Sequence, residues 1–194
     1  TGIDNDINAI NYALEAQKSE EQSVQEKVRF ICDDFLTHDF EEKFDTVIMG
    51  EILEHLFNPQ LFLKKASALL KEDGVFLASV PFGINRYPDH KRTYYFYNFY
   101  NQINEFFKVQ KVIFMGKWIA IIAYSKKSNI LELEQDGTEK DFLEEYENAV
   151  YFLEESWEKK LKQEQVSFNA KLEQLNKEIS SYKEQINAVK SEDA

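Results

Sequence analysis

Short apolar runs typical of β-strands alternate with stretches of helical spacing from residue 1 to about residue 124. This alternation predicts an α/β fold, in which helices cover a sheet. Thr1–Asp4 is interpreted as the end of a strand, and Asp6 as the cap of the following helix. Further strands are predicted at Val28–Cys32, Phe44–Met49, Val75–Val80, Val109–Met115 and Trp118–Tyr124, and further helices at 58–71, closed by Asp73-Gly74, and Tyr97–Phe106. The Gly116-Lys117 pair favours a hairpin between the last two strands.

The character of the sequence changes at Asp141, because no Pro or Gly follows Gly137 and good helix formers dominate. Apolar residues recur there every seven residues, at Leu161, Phe168, Leu175, Tyr182 and Val189, interleaved with Leu172, Ile179 and Ile186. The spacing predicts a coiled coil, and therefore a homo-oligomer of unspecified number. The alternative is a single helix packed on the preceding domain. We divide the chain into a domain at 1–128, an acidic linker at 129–140 and a helical tail at 141–194.

The formal net charge of −12 is concentrated in the tail, since residues 132–194 carry 17 Asp/Glu and 8 Lys/Arg. A general nucleic-acid-binding protein needs a basic surface, so no nucleic-acid partner is expected. The longest apolar stretch, Trp118–Tyr124, is too short to span a bilayer, and no signal peptide is visible. The single cysteine, Cys32, excludes an internal disulfide and is interpreted as a buried strand residue. These features predict a cytoplasmic protein.

Three predicted strand ends carry polar residues, and ligands of open parallel sheets bind at the carboxyl ends of strands. The first, Gly2-Ile3-Asp4, offers a carboxylate that suits ribose hydroxyls, although an ordinary acidic turn is an equal interpretation. The second is Cys32-Asp33-Asp34-Phe35, where a carboxylate and an aromatic ring suit adenine. His38, which follows, is interpreted as a surface loop residue with no partner nearby in sequence.

The third strand end carries Glu51, Glu54 and His55 at positions i, i+3 and i+4. This spacing predicts two carboxylates and an imidazole on one helical face. Downstream, the segment 87–97 combines His90 with several tyrosines. We expect it to form part of a lid or substrate wall, or else a packed aromatic bridge.

The stretches FDTVIMGEILEHLFNP and LKKASALLKEDGVFLASVP resemble the fourth and fifth strands of class I S-adenosylmethionine-dependent methyltransferases, nearest to the ubiquinone-biosynthesis O-methyltransferase type. TGIDNDINAINYA is similar to the second strand and following helix of that family, and VRFICDDF to its third strand. The four segments are collinear over residues 1–124. The resemblance implies a Rossmann-like methyltransferase sheet. The family's first strand and glycine-rich loop are absent, so we expect them upstream of Thr1 and expect the 194-residue chain to bind cofactor poorly.

The resemblance also implies which residues hold S-adenosylmethionine. Gly2 and Asp4 match the ribose-binding strand end, and Asp34 and Phe35 match the adenine contacts. The segment Met49, Gly50 and Glu51 matches the strand end near the methionine part of the cofactor.

A hydroxyl acceptor must lose a proton, and Glu51 or His55 is the predicted catalytic base. In small-RNA methyltransferases a similar pattern binds a divalent metal, which would correspond here to Glu51, Glu54, His55 and His90. We favour no metal, with the Glu-His pair shaping the pocket. The predicted function is O-methylation of a small hydroxylated molecule, sugar or polysaccharide. The alternative is a non-catalytic methyltransferase-like scaffold that assembles through its coiled coil.

Overall fold

The computed structural model of the chain describes residues 1–85, 87–128 and 139–192, without the side chains of residues 139, 140 and 184–192. The chain divides into two compact units, Thr1–Lys140 and Asp141–Ala194. The elements of the first unit are β1 (Gly2–Asp4), α1 (Ile7–Gln17), α2 (Gln22–Gln25), β2 (Phe30–Cys32), β3 (Phe44–Gly50), a 3-10 turn (Leu53–His55), α3 (Pro59–Leu69), β4 (Leu70–Pro81), α4 (Phe96–Asn104), β5 (Phe107–Met115) and β6 (Trp118–Ser125). The second unit contains α5 (Glu139–Glu192).

The strands of the first unit form two sheets. β1 and β2 are parallel, with Ile3 opposite Ile31. The other sheet has the order β3-β4-β6-β5, in which β3 and β4 are parallel and β6 is antiparallel to both its neighbours. Gly116 connects β5 to β6 with a φ of 63°, a backbone conformation that glycine adopts without steric cost. The sheets with flanking helices form an α/β fold, as predicted.

The predicted end of the helix at Asp73-Gly74 is wrong. α3 ends at Leu69, and Leu70 is already extended and pairs with Phe44 of β3. Residues 71–74 form an irregularity in the register between the two strands. A Cβ atom at Gly74 would lie 2.9 Å from Leu70 Cδ2 and 3.1 Å from the Lys71 backbone. The Asp-Gly pair therefore allows a tight bend inside β4 rather than closing the helix.

The core of the first unit lies around the larger sheet. Phe76 of β4 stacks on Phe107 of β5 with ring centroids 4.0 Å apart, and both side chains are fully buried. Ile119 and Ile121 of β6 and Leu63 of α3 are buried as well. β4 is thus held by buried apolar side chains, whereas β3 is at the edge of the described sheet and its Ile48 is exposed, contrary to the prediction of a strand covered on both faces.

The tail is helical over Glu139–Glu192. Its predicted seam residues Leu161, Phe168, Leu172, Leu175, Ile179 and Tyr182 are all exposed in the single chain. The side chains of Ile186 and Val189 lie outside the described residues, as do residues 129–138 of the predicted linker at 129–140. Within the described part of the chain, no helix is both long and apolar enough to cross a membrane.

Candidate functional site

A cleft of about 570 Å³ opens where the two sheets of the first unit face each other. Its walls come from β1, from the turn after β2 and from β3, whose carboxyl ends were predicted to share one site. In the described residues, β1 pairs with β2 and β3 pairs with β4, which leaves one edge of each strand without a partner strand. The predicted cofactor residues that line the cleft are Gly2, Asp4, Asp34, Phe35 and Met49.

Asp4 is fixed at the end of β1 by the turn that starts α1. Its Oδ1 accepts a hydrogen bond from Asp6 N at 2.8 Å, and Asp6 Oδ1 in turn accepts from Asn8 N at 2.8 Å and caps the helix. The carboxylate of Asp4 remains exposed at the cleft. A Cβ atom at Gly2 would lie 2.9 Å from Phe30 Cδ1, so glycine allows β1 to approach the Phe30 ring closely.

The turn after β2 presents Asp34 and Phe35 to the cleft. Asp34 Oδ1 accepts from Leu36 N at 2.8 Å, which fixes the turn. The ring of Phe35 stacks on Phe62 of α3 at 5.7 Å and 15°. Lys65 Nζ donates to Leu36 O at 2.9 Å and also to His38 O. Helical spacing alone gave no reason to single out this lysine, so the sequence interpretation missed its contribution to the turn.

Two predictions in this turn are wrong. His38 does have a partner nearby, because its Nδ1 lies 2.7 Å from Asp33 Oδ2. This hydrogen bond from His38 is the main cause that lowers the pKa of Asp33 below its usual value. Cys32 is exposed rather than buried, because it ends the short edge strand β2 and lies beside the Asn5 carbonyl.

Glu51 does not share a helical face with Glu54 and His55, contrary to the prediction. β3 continues through Gly50, and only Leu53–His55 form a 3-10 turn. Glu51 has a φ of 54°, and its N–H donates to Ser79 O at 3.0 Å. Its side chain accepts from Ser79 Oγ at 3.0 Å and from Trp118 Nε1 at 2.8 Å. The end of the strand therefore turns Glu51 toward β4 and β6.

Neither Gly50 nor Glu51 lines the cleft, although each follows Met49 directly. A Cβ atom at Gly50 would meet Ser79 Oγ at 3.6 Å, which is an ordinary contact. A left-handed backbone at a residue other than glycine is uncommon, and such residues cluster at functional sites. The strained backbone at the end of β3 is therefore at Glu51, and not at Met49 or Gly50.

Glu54 and His55 meet His90 instead. Glu54 is 1% exposed, and neither of its carboxylate oxygens has a hydrogen-bond partner. Burial raises the pKa of Glu54 above its usual value. His55 Nε2 lies 3.8 Å from Glu54 Oε1, and the rings of His55 and His90 are 4.7 Å apart between centroids. One possible ligand atom from each residue lies within 4.8 Å of the others.

The segment 87–94 is bonded to the 3-10 turn, which places His90. Lys91 N donates to Glu54 O at 2.7 Å. Arg92 Nη2 donates to Phe57 O at 2.6 Å, and its Nε donates to Leu56 O at 3.1 Å. Tyr94 is buried, and its hydroxyl donates to Gln102 Oε1 at 2.7 Å. The sequence had drawn attention to the tyrosines of this segment, but only the structure shows that Arg92 holds it to the turn.

Residues 1–76 match the sequence family described as "Methyltransferase domain". The (S)-coclaurine N-methyltransferase of Papaver somniferum is 42% identical over 48 residues, which are 25% of this chain and 14% of that protein. N-methyltransferase 4 of the same plant is 38% identical over 80 residues, 40% of this chain and 21% of that protein. The matched segments thus span about a fifth or less of these relatives.

Among solved structures, the fold resembles the N-methyltransferase NodS from Bradyrhizobium japonicum WM9, solved in complex with S-adenosyl-L-homocysteine. The TM-score is 0.53 at 14% identity, over 64% of this chain and 65% of that one. At this identity the likeness establishes the fold alone. The first unit therefore has the Rossmann-like fold of methyltransferases, and residues 1–76 are similar in sequence to a methyltransferase domain.

Proposed function

We propose that the chain acts in S-adenosylmethionine-dependent methyl transfer. The observation that carries the proposal is the convergence of three separate segments on one cleft: the end of β1, the turn after β2 and β3. The same segments fall within the match to a methyltransferase domain.

The residues at the cleft suit the parts of this cofactor. We assign the exposed carboxylate of Asp4, beside Gly2, to the ribose hydroxyls, because an acidic group can accept hydrogen bonds from both. Asp34 and Phe35 are assigned to the adenine amine and ring. Met49 at the cleft, with Gly50 and Glu51 that follow it just outside the cleft lining, is assigned to the methionine part. When bound, the cofactor supplies an activated methyl group; the protein aligns the acceptor and excludes water.

Proton removal from the acceptor is assigned to Glu51 or to His55. Glu51 is the better oriented of the two, because Ser79 and Trp118 each donate a hydrogen bond to its carboxylate. In the reaction the acceptor atom forms a bond to the methyl carbon as the carbon–sulfur bond breaks. The proton of the acceptor passes to the base, and the sulfur keeps the bonding electron pair.

The acceptor is proposed to be a small molecule. A hydroxyl group on a small molecule or on a sugar or polysaccharide follows from the resemblance to the ubiquinone-biosynthesis O-methyltransferase type. The names of the relatives from Papaver somniferum favour nitrogen instead. Both acceptors need the same alignment and loss of a proton, so the cleft described here serves either.

The second candidate function is a non-catalytic scaffold that assembles through α5. The observation in its favour is the row of exposed apolar residues at seven-residue spacing on a helix of 54 residues. Exposed rows of this kind are characteristic of helices that pair. In the enzyme, the same row would bring catalytic units together in a homo-oligomer.

The two functions are distinguished by a methyl-transfer assay on the whole polypeptide that the gene encodes. It is incubated with S-adenosylmethionine labelled in the methyl group and with a panel of alcohols, sugars, phenols and amines. Labelled product from one acceptor class is expected, and its NMR spectrum shows whether oxygen or nitrogen carries the methyl group. The matched variant is Glu51→Gln, which keeps the shape of the side chain but removes the base. Transfer at the same rate in this variant would contradict the role of Glu51, and no transfer to any acceptor would favour the scaffold.

A further inference from the structure

Glu54 is a buried carboxylate that the methyltransferase fold does not explain. Its side chain is 1% exposed and neither oxygen accepts a hydrogen bond. Leaving a buried carboxyl group without partners costs on the order of 1–3 kcal/mol, and more if it is charged. Buried charges in proteins are therefore paired or coordinate metals. A positive group is therefore expected beside Glu54.

Within the described part of the chain, the only salt bridge of Glu54 is the one to His55. No lysine or arginine there neutralises its charge. The two nearest polar groups are the imidazoles of His55 and His90. His55 Nε2 lies 3.8 Å from Glu54 Oε1, which is beyond hydrogen-bond distance but suits a shared cation between the two atoms. The Nδ1 atom of His90 is also buried and without a hydrogen-bond partner.

We propose that Glu54, His55 and His90 form a binding site for a divalent transition-metal ion. One possible ligand atom from each residue lies within 4.8 Å of the others, so that small side-chain rotations would bring all three onto a single ion. Two imidazoles and one carboxylate are a ligand set that suits zinc, cobalt and iron, and zinc sites of this composition keep an open position. Hard magnesium prefers oxygen ligands and is not expected to compete.

The surroundings orient these three side chains. His55 Nδ1 lies 3.3 Å from Asp89 Oδ2, on the other side of the ring from Glu54. His55 Nδ1 is buried and makes no hydrogen bond to that carboxylate in this arrangement, although a carboxylate near the second nitrogen is a usual neighbour of a metal-binding histidine. Lys91 N donates to Glu54 O. His90 therefore directly precedes a residue that is hydrogen-bonded to the turn that carries Glu54.

Glu51 is not part of this site. It is not among the residues whose possible ligand atoms lie together, and its carboxylate oxygens accept one hydrogen bond each, from Ser79 Oγ at 3.0 Å and from Trp118 Nε1 at 2.8 Å. The sequence grouped four residues as possible metal ligands. In the structure three of them form the proposed metal site, and the fourth, Glu51, lies at the end of β3. His55 is thereby assigned to the metal rather than to proton removal.

The site is tested by metal binding alone, without cofactor or acceptor, so its outcome is independent of the proposed methyl transfer. The whole polypeptide that the gene encodes, free of any histidine tag, is titrated with Zn²⁺ by calorimetry and with Co²⁺ by visible absorption. One Zn²⁺ per chain is expected, together with a cobalt absorption band that excess Zn²⁺ removes and excess Mg²⁺ leaves in place. Absence of Zn²⁺ binding in the unmodified chain would overturn the proposal.

Three variants locate the site. Glu54→Gln and His90→Asn each remove one ligand and are expected to weaken Zn²⁺ binding about tenfold or more. The control is His38→Asn, because the chain has three histidines and His38 bonds to Asp33 instead. Thermal unfolding of each variant with and without Zn²⁺ checks folding, and only the unmodified chain and His38→Asn should gain stability from the metal. Equal Zn²⁺ affinity in either ligand variant and the control would contradict the assignment.

Discussion

Trp118, the first residue of β6, donates its indole Nε1 hydrogen to Glu51 Oε2 at 2.8 Å, across 67 positions of sequence. Ser79 of β4 donates to the other carboxylate oxygen at 3.0 Å. The carboxyl end of β3 is therefore held by side chains from the two strands that follow it in the sheet. These bonds keep Glu51 in one orientation, although its φ of 54° is unfavourable for a residue with a side chain.

Replacing Trp118 with Phe removes the hydrogen bond and keeps an aromatic ring. Because the indole is partly exposed, the free energy of unfolding is expected to change by about 1 kcal/mol or less. If Glu51 accepts the proton, kcat for methyl transfer should fall about tenfold with KM nearly unchanged, because the base loses its orientation. Steady-state kinetics with the acceptor identified in the panel provide both constants.

The control for this prediction is Trp157→Phe, which changes the other tryptophan of the chain, on α5. A second test is a double-mutant cycle with Glu51→Gln. Trp118→Phe should have no further effect on kcat once the carboxylate is gone. Additive losses in the double variant would mean that Trp118 acts by another route.

Tyr94 should make stability depend on pH in the alkaline range. Burial raises its pKa from 10.0 to about 12, so the folded protein resists ionisation of this phenol. The stabilising contribution is fully present below pH 10 and is lost as pH rises toward 12, because the unfolded chain releases the proton first. Chemical denaturation measured at several pH values should show a shallower alkaline decline in Tyr94→Phe than in the unmodified chain.

Tyr94→Phe should also be less stable than the unmodified chain at neutral pH. Tyr94 OH donates to Gln102 Oε1, and loss of that bond should lower the free energy of unfolding by about 1 kcal/mol. The matched control is Tyr97→Phe, since Tyr97 is 75% exposed. An identical alkaline decline in all three proteins would show that Tyr94 ionises as freely in the folded state as in the unfolded one.

The seam of α5 predicts self-association. Leu175→Glu places a charge in the row of exposed apolar residues and should reduce the oligomer to smaller species. Asn176→Glu adds the same charge one position away, outside the row, and should leave the oligomer intact. Sedimentation velocity of the whole chain over a range of concentrations measures both. A monomer in the unmodified chain would contradict the coiled coil.

Much of the fold followed from the sequence because its signals are local. The apolar run of β3, the Asp6 cap of α1 and the Gly116 hairpin each depend on residues within one element. The end of α3 could not be predicted in this way, because Leu70 is extended through its pairing with Phe44, a partner 26 positions away. Local helix signals cannot report a tertiary pairing of that kind.

The site was predicted to a similar extent. Asp4, Asp34, Phe35 and Met49 share a cleft between the two sheets, as expected from the rule that ligands bind at the carboxyl ends of parallel strands. The grouping of Glu51 with Glu54 and His55 assumed a helix from residue 51 onward. In the structure only a short 3-10 turn forms, starting at Leu53, so Glu51 and His55 do not share a helical face. The bonds from Trp118 and Arg92 come from distant segments and leave no sequence signal.

The central claim is that the cleft binds S-adenosylmethionine, with Asp4 at the ribose. It is tested most directly by calorimetric titration of S-adenosylhomocysteine into the whole polypeptide that the gene encodes, and into its Asp4→Ala and Asp45→Ala variants. Asp45 is exposed and bonds to Lys71, so its replacement removes a similar carboxylate that does not line the cleft. We expect binding at one site per chain, weakened about tenfold or more in Asp4→Ala and unchanged in Asp45→Ala. No binding in the unmodified protein, or equal affinity in the Asp4 variant, would contradict the account.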